Sequence, residues 1–321
     1  MSATLRRLAS AAAEAPALGQ WILERVGNTP LIAPRRVISG NPDVRVLIKA
    51  EWFNPGGSVK DRAALQIVLD AELRGDLGGG KTLIDSSSGN TGIAYAMVGA
   101  ARGFPVELVM PSSVSEERKL IANAYGAKIT YSDPYEGSDG AIRLVRKLVE
   151  EQPERYYYAD QYSNPSNWQA HYKTTGPEVW RQTSGQVTHF VAGLGTSGTA
   201  MGAGRYLRER NPAIAVVGVQ PDNALHGLEG LKHMESSIVP RIYDPSQLER
   251  KLLVNTEESF DMARRMASEE GIFAGQSSGA AMVGALRLAE SLDEGVVVVV
   301  FPDGGDKYLS TSLWKFDDWS I

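Results

Sequence analysis

Short apolar runs rich in β-branched residues alternate along the chain with longer segments whose apolar residues recur at helical spacing. Turn residues bound the runs, so the pattern predicts strands at 44–50, 81–85, 106–110, 127–131, 156–159, 187–192, 214–220 and 295–301. The amphipathic segments predict helices at 3–15, from Lys60 to about 73, at 93–102, 115–125 and 138–151, and within 168–183. Further helices are predicted from the end of the loop at Thr199 to about 209, at 256–270 and at 275–292. Residues 222–247 show neither pattern and are predicted to be irregular.

Strands that alternate with helices are typical of parallel sheets with helices on both faces, so we expect an α/β protein. In such sheets ligands bind where the carboxyl ends of the strands meet. The loops that begin at Ser86, Gly193 and Pro302 each follow a predicted strand. We therefore expect these three loops to line one cleft.

Composition narrows the classes of function. A net charge of −5 over 321 residues gives no reason to expect nucleic acid or an anionic membrane as a partner. The chain has no cysteine, which excludes disulfides and thiolate nucleophiles, and its four histidines lack metal-ligand spacing. The N-terminal residues do not form a signal peptide, and the longest apolar run, 296–301, is too short to span a bilayer. We expect a cytoplasmic protein without a bound metal.

Two glycine-rich motifs match a known phosphate-binding pattern and a known catalytic pattern, but the residues around them do not provide the structure that either pattern requires. Residues 75–82 match a P-loop, but a helix precedes them and a strand follows, which is the reverse of the order that presents a helix N-terminus to phosphate. Residues 275–279 match the GxSxG motif of serine hydrolases, yet no histidine follows His233 in the chain, as that fold requires. Neither motif is expected to carry its usual function.

A third glycine motif, Gly193–Gly198, matches GxGxxG and lies in the right context, between a strand and a helix. Main-chain N–H groups in such a loop, together with the hydroxyls of Thr196, Ser197 and Thr199, can bind a phosphate. We predict a phosphate site here. A dinucleotide, with Asp222 as its acidic partner, and a single phosphate group both remain open at this point.

The stretch from Asn54 to Arg62 combines turn residues with a lysine at the start of a helical pattern. The positive end of the helix dipole disfavours a cation near the first turn, so Lys60 is either a solvated lysine or an amine with a lowered pKa. A reactive amine and a separate phosphate site together suggest pyridoxal phosphate, which needs an amine for its imine and an anchor for its phosphate.

The chain resembles the cysteine synthase (O-acetylserine sulfhydrylase) family, of B-type, among the fold-type II pyridoxal-phosphate enzymes. The motifs that carry the resemblance occur in family order between about 21 and 310: Gly27–Leu31, Asn54–Arg62, Ser87–Gly92, Thr174–Glu178, Gly195–Thr199 and Gly275–Ala280. The resemblance implies two three-layer αβα domains with mainly parallel sheets, like the β subunit of tryptophan synthase, with pyridoxal phosphate in the cleft between them. The smaller domain would be 51–164, and the larger 1–50 plus 165–321.

The resemblance also implies roles for individual residues. Lys60 would form the imine with the cofactor and then act as the base on the substrate α-carbon. Asn90 would bind the cofactor's ring oxygen, Ser277 would face its ring nitrogen, and the phosphate would bind Gly195, Thr196, Ser197, Gly198 and Thr199. The substrate carboxylate would bind Ser87, Ser88, Gly89, Asn90, Thr91 and Gln161. Each has a plainer alternative, such as a turn former for Asn90, a surface amide for Gln161 and a helix cap for Ser277.

The implied reaction is a β-replacement that makes L-cysteine from an activated serine and sulfide through an aminoacrylate. O-acetylserine is the expected donor and O-phosphoserine the second choice, with Lys232 as a candidate contact to its phosphate; alternatively Lys232 is a solvated surface lysine. Thiosulfate or a protein thiocarboxylate could replace sulfide. Cystathionine β-synthase is a further alternative, and an NAD-binding dehydrogenase, suggested by Gly193–Gly198, is one from another class. The resemblance also implies a homodimer.

Overall fold

The computed structural model describes residues 20–38, 40–87 and 89–315. Its strands are β1 Leu31–Ile32, β2 Val44–Ala50, β3 Thr82–Ser86, β4 Val106–Pro111, β5 Lys128–Ser132, β6 Tyr156–Tyr158, β7 His189–Gly193, β8 Ala215–Pro221, β9 Arg250–Val254 and β10 Gly295–Phe301. Its α-helices are α1 Lys60–Arg74, α2 Asn90–Arg102, α3 Glu116–Ala124, α4 Gly137–Glu151, α5 Ser166–Lys173, α6 Thr175–Gln182, α7 Gly198–Arg210, α8 Thr256–Glu270 and α9 Gln276–Ala289.

These strands form two sheets. The larger has the order β1-β2-β10-β7-β8-β9, in which only β1 is antiparallel to its neighbour, and the smaller has the order β5-β4-β3-β6 and is parallel throughout. The smaller sheet uses residues 82–158, and the larger uses residues on both sides of that segment. The predicted α/β class with mainly parallel sheets is confirmed.

Each sheet is covered by helices on both faces. Central strands such as β4 and β10 are buried almost end to end, because helices pack on each side of them. Apolar side chains of α8 and α9 pack on one face of the larger sheet and those of α7 on the other. In the smaller sheet α1 and α2 cover one face and α4 the other.

Two predictions of secondary structure were incomplete. Strand β9 was not predicted, because it is a short edge strand whose residues remain largely exposed and so lack a continuous apolar run. The helix predicted within 168–183 is two helices, since Thr174 has non-helical backbone angles between α5 and α6. Residues 222–247 are irregular as predicted, apart from a 3₁₀ turn at Pro245–Gln247. The predicted helix at 3–15 lies outside the described residues.

Candidate active site

A cavity of about 710 Å³ lies between the carboxyl ends of the two sheets. The loops that follow β3, β7 and β10 all contribute to its wall, as expected from the sequence. Most of the predicted site residues line it, namely Lys60, Ser87, Gly89, Asn90, Thr91, Gln161, Gly195, Thr196, Thr199, Lys232 and Ser277. Ser197 and Gly198 are buried in the same loop as Thr196, whereas Ser88 is outside the described residues.

Lys60 is the first residue of α1 and projects into this cavity. The main-chain N–H of Lys60 donates to Ser58 Oγ at 3.2 Å, and Val59 N–H donates to the carbonyl oxygen of Pro302 at 2.8 Å. The start of α1 is thereby fixed to the end of β10. Burial lowers the pKa of the Lys60 ammonium, while the charge of Asp303 acts in the opposite direction. The neutral amine, which is the reactive form, is therefore a larger fraction than in an exposed lysine at the same pH.

A buried network of four charges holds the same end of α1. Arg62 donates to Glu51 at 2.7 and 2.8 Å and to Glu178 at 2.7 and 2.8 Å. Lys49 donates to Glu178 at 2.7 Å and to the carbonyl oxygen of Thr29 at 2.6 Å. Burial alone would raise the pKa of Glu178, but hydrogen bonds and charge from Arg62 outweigh it and lower the pKa to about 2. Two cations and two carboxylates thus join β2, α1 and α6. The member of this network on α1, Arg62, is two residues from Lys60.

The loop after β10 contains three residues that the sequence reasoning did not single out. Lys307 Nζ donates to the carbonyl oxygens of Gly56 and Gly57 and to Asn90 Oδ1, each at 3.0 Å. Asp303 Oδ2 accepts from Asn90 Nδ2 at 2.7 Å and from the Tyr308 hydroxyl at 2.6 Å. These bonds fix the orientation of the Asn90 amide and leave the second hydrogen of Nδ2 for a ligand. In the sequence, the only indication that these three residues belong to the site was that their loop follows a buried strand.

The loop 195–199 has the geometry of an anion site. It connects β7 to the N-terminus of α7, where N–H groups and the helix dipole favour a negative charge. A Cβ on Gly195 would come within 2.2 Å of the Gly230 carbonyl oxygen, so only glycine allows this close approach. Ser197 has a φ of 69°. Its hydroxyl is buried without a hydrogen-bond partner among the described residues. An unsatisfied buried donor here fits the phosphate of the expected cofactor.

Behind this loop lies His171, a buried histidine on α5. Its Nδ1 is 2.9 Å from Thr175 Oγ1, and its Nε2 is 3.4 Å from Thr199 Oγ1. Burial and the charge of Arg62 lower the pKa of His171 to about 3. The imidazole is therefore neutral at physiological pH and supports Thr199 through a hydrogen bond without adding a charge.

The loop between β3 and α2 is internally ordered by Ser87. Its Oγ accepts from Gly92 N–H at 2.7 Å and from Gly89 N–H at 3.4 Å. The Thr91 hydroxyl donates to Gln161 Oε1 at 2.8 Å, and Gln161 Nε2 donates to the carbonyl oxygen of Ser86 at 2.8 Å. Gln161 is thus a buried amide that supports the loop, in contrast to the surface-amide alternative.

Ser277 lies in the first turn of α9, is buried, and faces the cavity. The N-cap of α9 is Gly275, so the alternative that Ser277 is only a helix cap is wrong. A Cβ on Gly275 would come within 2.3 Å of Asp303 Oδ1, which explains why glycine precedes the helix. Ser277 is therefore available to a ligand in the cavity.

Two ion pairs join the loops of the larger sheet to helices on the smaller one across the cleft. Lys232 Nζ is 3.4 Å from Asp139 Oδ1 and lies 5.1 Å from the centre of the Tyr162 ring. Arg118 pairs with Glu229. Because Lys232 is only 7% exposed and has a carboxylate partner, the solvated-surface alternative is wrong, and its charge is largely neutralised within the protein.

The described residues contain no group of three histidine, aspartate or glutamate side chains arranged to hold a metal ion. No helix among them combines the length and apolar character needed to cross a membrane.

Comparisons with known proteins agree with the resemblance. The family model described as pyridoxal-phosphate dependent enzyme matches residues 22–303. The chain is 55% identical to a cysteine synthase of Aquifex aeolicus, over 93% of each chain. It is 45% identical to cysteine synthase B of Pseudomonas aeruginosa, over 91% of this chain and 97% of that one.

A solved structure gives the same result for the fold. The crystal structure of cysteine synthase (OASS) from Entamoeba histolytica superposes with a TM-score of 0.88 at 35% identity, covering 97% of this chain and 95% of that one. These matches cover nearly all of the chain, so they apply to both sheets and to the cavity between them.

Proposed function

Because the chain belongs to the cysteine synthase family of pyridoxal-phosphate-dependent enzymes, we propose that it makes L-cysteine by replacing the β-substituent of O-acetylserine with sulfide. The observation that carries this proposal is the placement of Lys60 in one cavity with a phosphate-binding loop and with the Ser87–Thr91 loop. A dehydrogenase or a cystathionine β-synthase is not favoured by the comparisons.

Pyridoxal phosphate, when bound, draws electrons from the α-carbon of an amino acid and thereby eases loss of the α-proton and of the β-substituent. We propose that Lys60 holds it covalently through Nζ and that residues 195–199 hold its phosphate. Asn90 Nδ2 would donate to the ring oxygen, and the Ser277 hydroxyl would serve the ring nitrogen. The unsatisfied Ser197 hydroxyl and the close approach at Gly195 support this placement.

Lys60 has a second role as general base. Once its amine is free, Nζ accepts the proton from the substrate α-carbon, and this requires the neutral form. Burial, which lowers the pKa of Lys60, increases the neutral fraction at a given pH. The Ser87–Thr91 loop, which leads into the N-terminus of α2, would bind the substrate carboxylate, and Gln161 supports this loop through the Thr91 hydroxyl. Closure of the cleft excludes water from the reacting β-carbon.

The charge balance of the cavity favours O-acetylserine over O-phosphoserine. A phosphoserine brings about two additional negative charges, which need unpaired cations. Lys232 is the cation that the sequence suggested for this purpose, but Asp139 already pairs with it. A second similar structure from Entamoeba histolytica, 34% identical over 96% of each chain, is named O-acetyl serine sulfhydrylase, which supports the acetylated donor.

We further propose that residues 51–164 form the mobile domain, which closes against 1–50 and 165–321, and that the enzyme is a cytoplasmic homodimer. The smaller sheet, which lies entirely within 51–164, supports the division. Exposed apolar side chains such as Trp21 and Ile22 support self-association, and a cysteine-free composition fits a reducing compartment. Light scattering of the purified protein tests the dimer.

The donor is tested by measuring cysteine formation from sulfide with O-acetylserine and with O-phosphoserine in parallel. We expect kcat/KM for O-acetylserine to exceed that for O-phosphoserine at least about tenfold, because a buried uncompensated charge costs more than one factor of ten in binding. An equal or higher value for O-phosphoserine would refute the choice of donor. Thiosulfate, offered in place of sulfide, tests the sulfur source.

A further inference from the structure

Asn167 lies behind the cavity wall and contacts both the phosphate loop and Gln161, which supports the substrate loop. It is in the first turn of α5 and only 2% exposed. Its Nδ2 donates one hydrogen bond to Thr196 Oγ1 at 3.1 Å and another to the carbonyl oxygen of Gln161 at 2.7 Å. One amide group therefore uses both of its hydrogens to join the phosphate loop to the segment that contains Gln161.

At the phosphate loop, the bond from Asn167 determines what Thr196 can offer to a ligand. A hydroxyl has one hydrogen to donate and two lone pairs. The Thr196 oxygen accepts from Asn167 and, at 3.5 Å, from the N–H of Gly198. Its own hydrogen is then left for an anion in the cavity. A Cβ on Gly198 would come within 2.0 Å of Asn167 Oδ1, so the amide also packs directly on this loop.

On the other side of Asn167, the side chain of Gln161 contacts the substrate loop. Its side chain accepts from the Thr91 hydroxyl and donates to the carbonyl oxygen of Ser86, both at 2.8 Å. A chain of bonds therefore runs from Thr196 through Asn167 to the main chain of Gln161, and from the Gln161 side chain to Thr91. Its two ends are the loops to which the proposed function assigns the cofactor phosphate and the substrate carboxylate.

We propose that Asn167 is a positioning residue that holds the phosphate loop and the segment supporting the substrate loop in place at the same time. It does not line the cavity, so it acts through Thr196 and Gln161. This inference rests on the proposed function for the identity of the two ligands. It predicts that a single change at Asn167 weakens binding at both sites, whereas a change at either end of the chain of bonds weakens binding at one.

The test compares Asn167→Asp with Thr196→Val and Thr91→Val. Aspartate has the shape of asparagine but only accepts, so it removes both donated bonds and places a charge beside the phosphate loop. For each variant, the Kd of the apoenzyme for pyridoxal phosphate is measured by equilibrium dialysis, and KM and kcat for O-acetylserine are measured with the holoenzyme at saturating cofactor.

For Asn167→Asp we expect both constants to rise at least about fivefold, with kcat within roughly threefold of wild type, because each lost buried hydrogen bond weakens binding by about that factor. Thr196→Val raises chiefly the cofactor Kd, and Thr91→Val chiefly KM. The matched control is Asn164→Asp, since Asn164 Nδ2 donates to the carbonyl oxygen of Ala159 rather than to either loop, and aspartate keeps the oxygen that accepts from Ser166 N–H. Both of its constants stay at the wild-type values.

The proposal is overturned if Asn167→Asp changes only one of the two constants, or lowers only the melting temperature. Asn167→Ala, which removes both donated bonds without adding a charge, gives the same pattern and replaces the aspartate variant should that fail to fold. A wild-type enzyme inactive with O-acetylserine would refute the proposed donor. Binding at the substrate loop would then be measured through the change in cofactor absorbance on titration with amino acids, and the same pattern of two affected constants is required.

Discussion

Glu178→Gln is a direct test of the buried network that holds the start of α1. Glu178 is 5% exposed and accepts from both Arg62 and Lys49. Its pKa falls from 4.5 to about 2 in the folded protein. This difference corresponds to a contribution of about 3 kcal/mol to the free energy of unfolding, at about 1.4 kcal/mol per pKa unit. Removal of one partner from a buried ion pair costs about 3–5 kcal/mol, which is the same range.

The sign of the pH dependence follows from the direction of the shift. A carboxyl with a depressed folded pKa stabilises the protein above its unfolded pKa, and this stabilisation is lost as the pH falls through the folded value. The difference in unfolding free energy between wild type and Glu178→Gln should therefore have its full size at pH 7. It should shrink as the pH falls from 4.5 toward 2. Urea unfolding at a fixed concentration of cofactor measures it, because bound ligand also stabilises the fold.

The matched control is Glu154→Gln, a substitution at an exposed glutamate that should leave the midpoint within error of wild type. Because Arg62 lies in the same helical turn as Lys60, Glu178→Gln should also weaken cofactor binding. The reasoning is refuted if Glu178→Gln and Glu154→Gln unfold at the same urea concentration at pH 7, or if the difference between Glu178→Gln and wild type does not change with pH.

Three further predictions test other parts of the site. Gly195→Ala should raise the cofactor Kd at least about tenfold, because the new methyl group would displace the loop from the Gly230 carbonyl oxygen, and an unchanged Kd in equilibrium dialysis would contradict this. His171 is neutral in the folded protein, with a pKa of about 3, so unfolding takes up a proton when the pH is below the ordinary value of 6.5. As the pH is lowered from 6.5 toward 3, the free energy of unfolding should fall by at most about 1.4 kcal/mol per pH unit, and His171→Gln should lack this component. Asp139→Asn removes the partner of Lys232 and should raise kcat/KM for O-phosphoserine relative to O-acetylserine several-fold; an unchanged ratio would show that Lys232 does not face the leaving group.

The fold class was predictable because its signal is local. Buried strands such as β10 appear as continuous apolar runs, and the helix at Lys60 follows directly from the spacing of apolar residues after a turn. Edge strand β9 was not predictable in this way, because its exposed residues carry no such pattern. The break at Thr174 was missed, although Gly176 and Pro177 follow it closely and both disfavour a continuous helix.

The site was predictable where motifs carry it and was missed where distant residues meet. The phosphate loop and Lys60 lie in contiguous motifs, so their shared cavity followed from the rule for carboxyl ends of parallel strands. Asp303 and Lys307 contact Asn90 across more than 200 positions of sequence. Arg62 meets Glu178 across 116 positions. Such contacts depend on how the two sheets are placed against each other, which no local pattern specifies.

The central claim, that Lys60 is the amine that holds the cofactor, is tested most directly by reduction of the purified holoenzyme with borohydride, followed by digestion and mass spectrometry. We predict that the reduced pyridoxyl group is found on the peptide that contains Lys60 and that Lys60→Ala carries no such group. Attachment to a different lysine of the cavity, such as Lys232, or the absence of any modified peptide from wild type, would contradict the account.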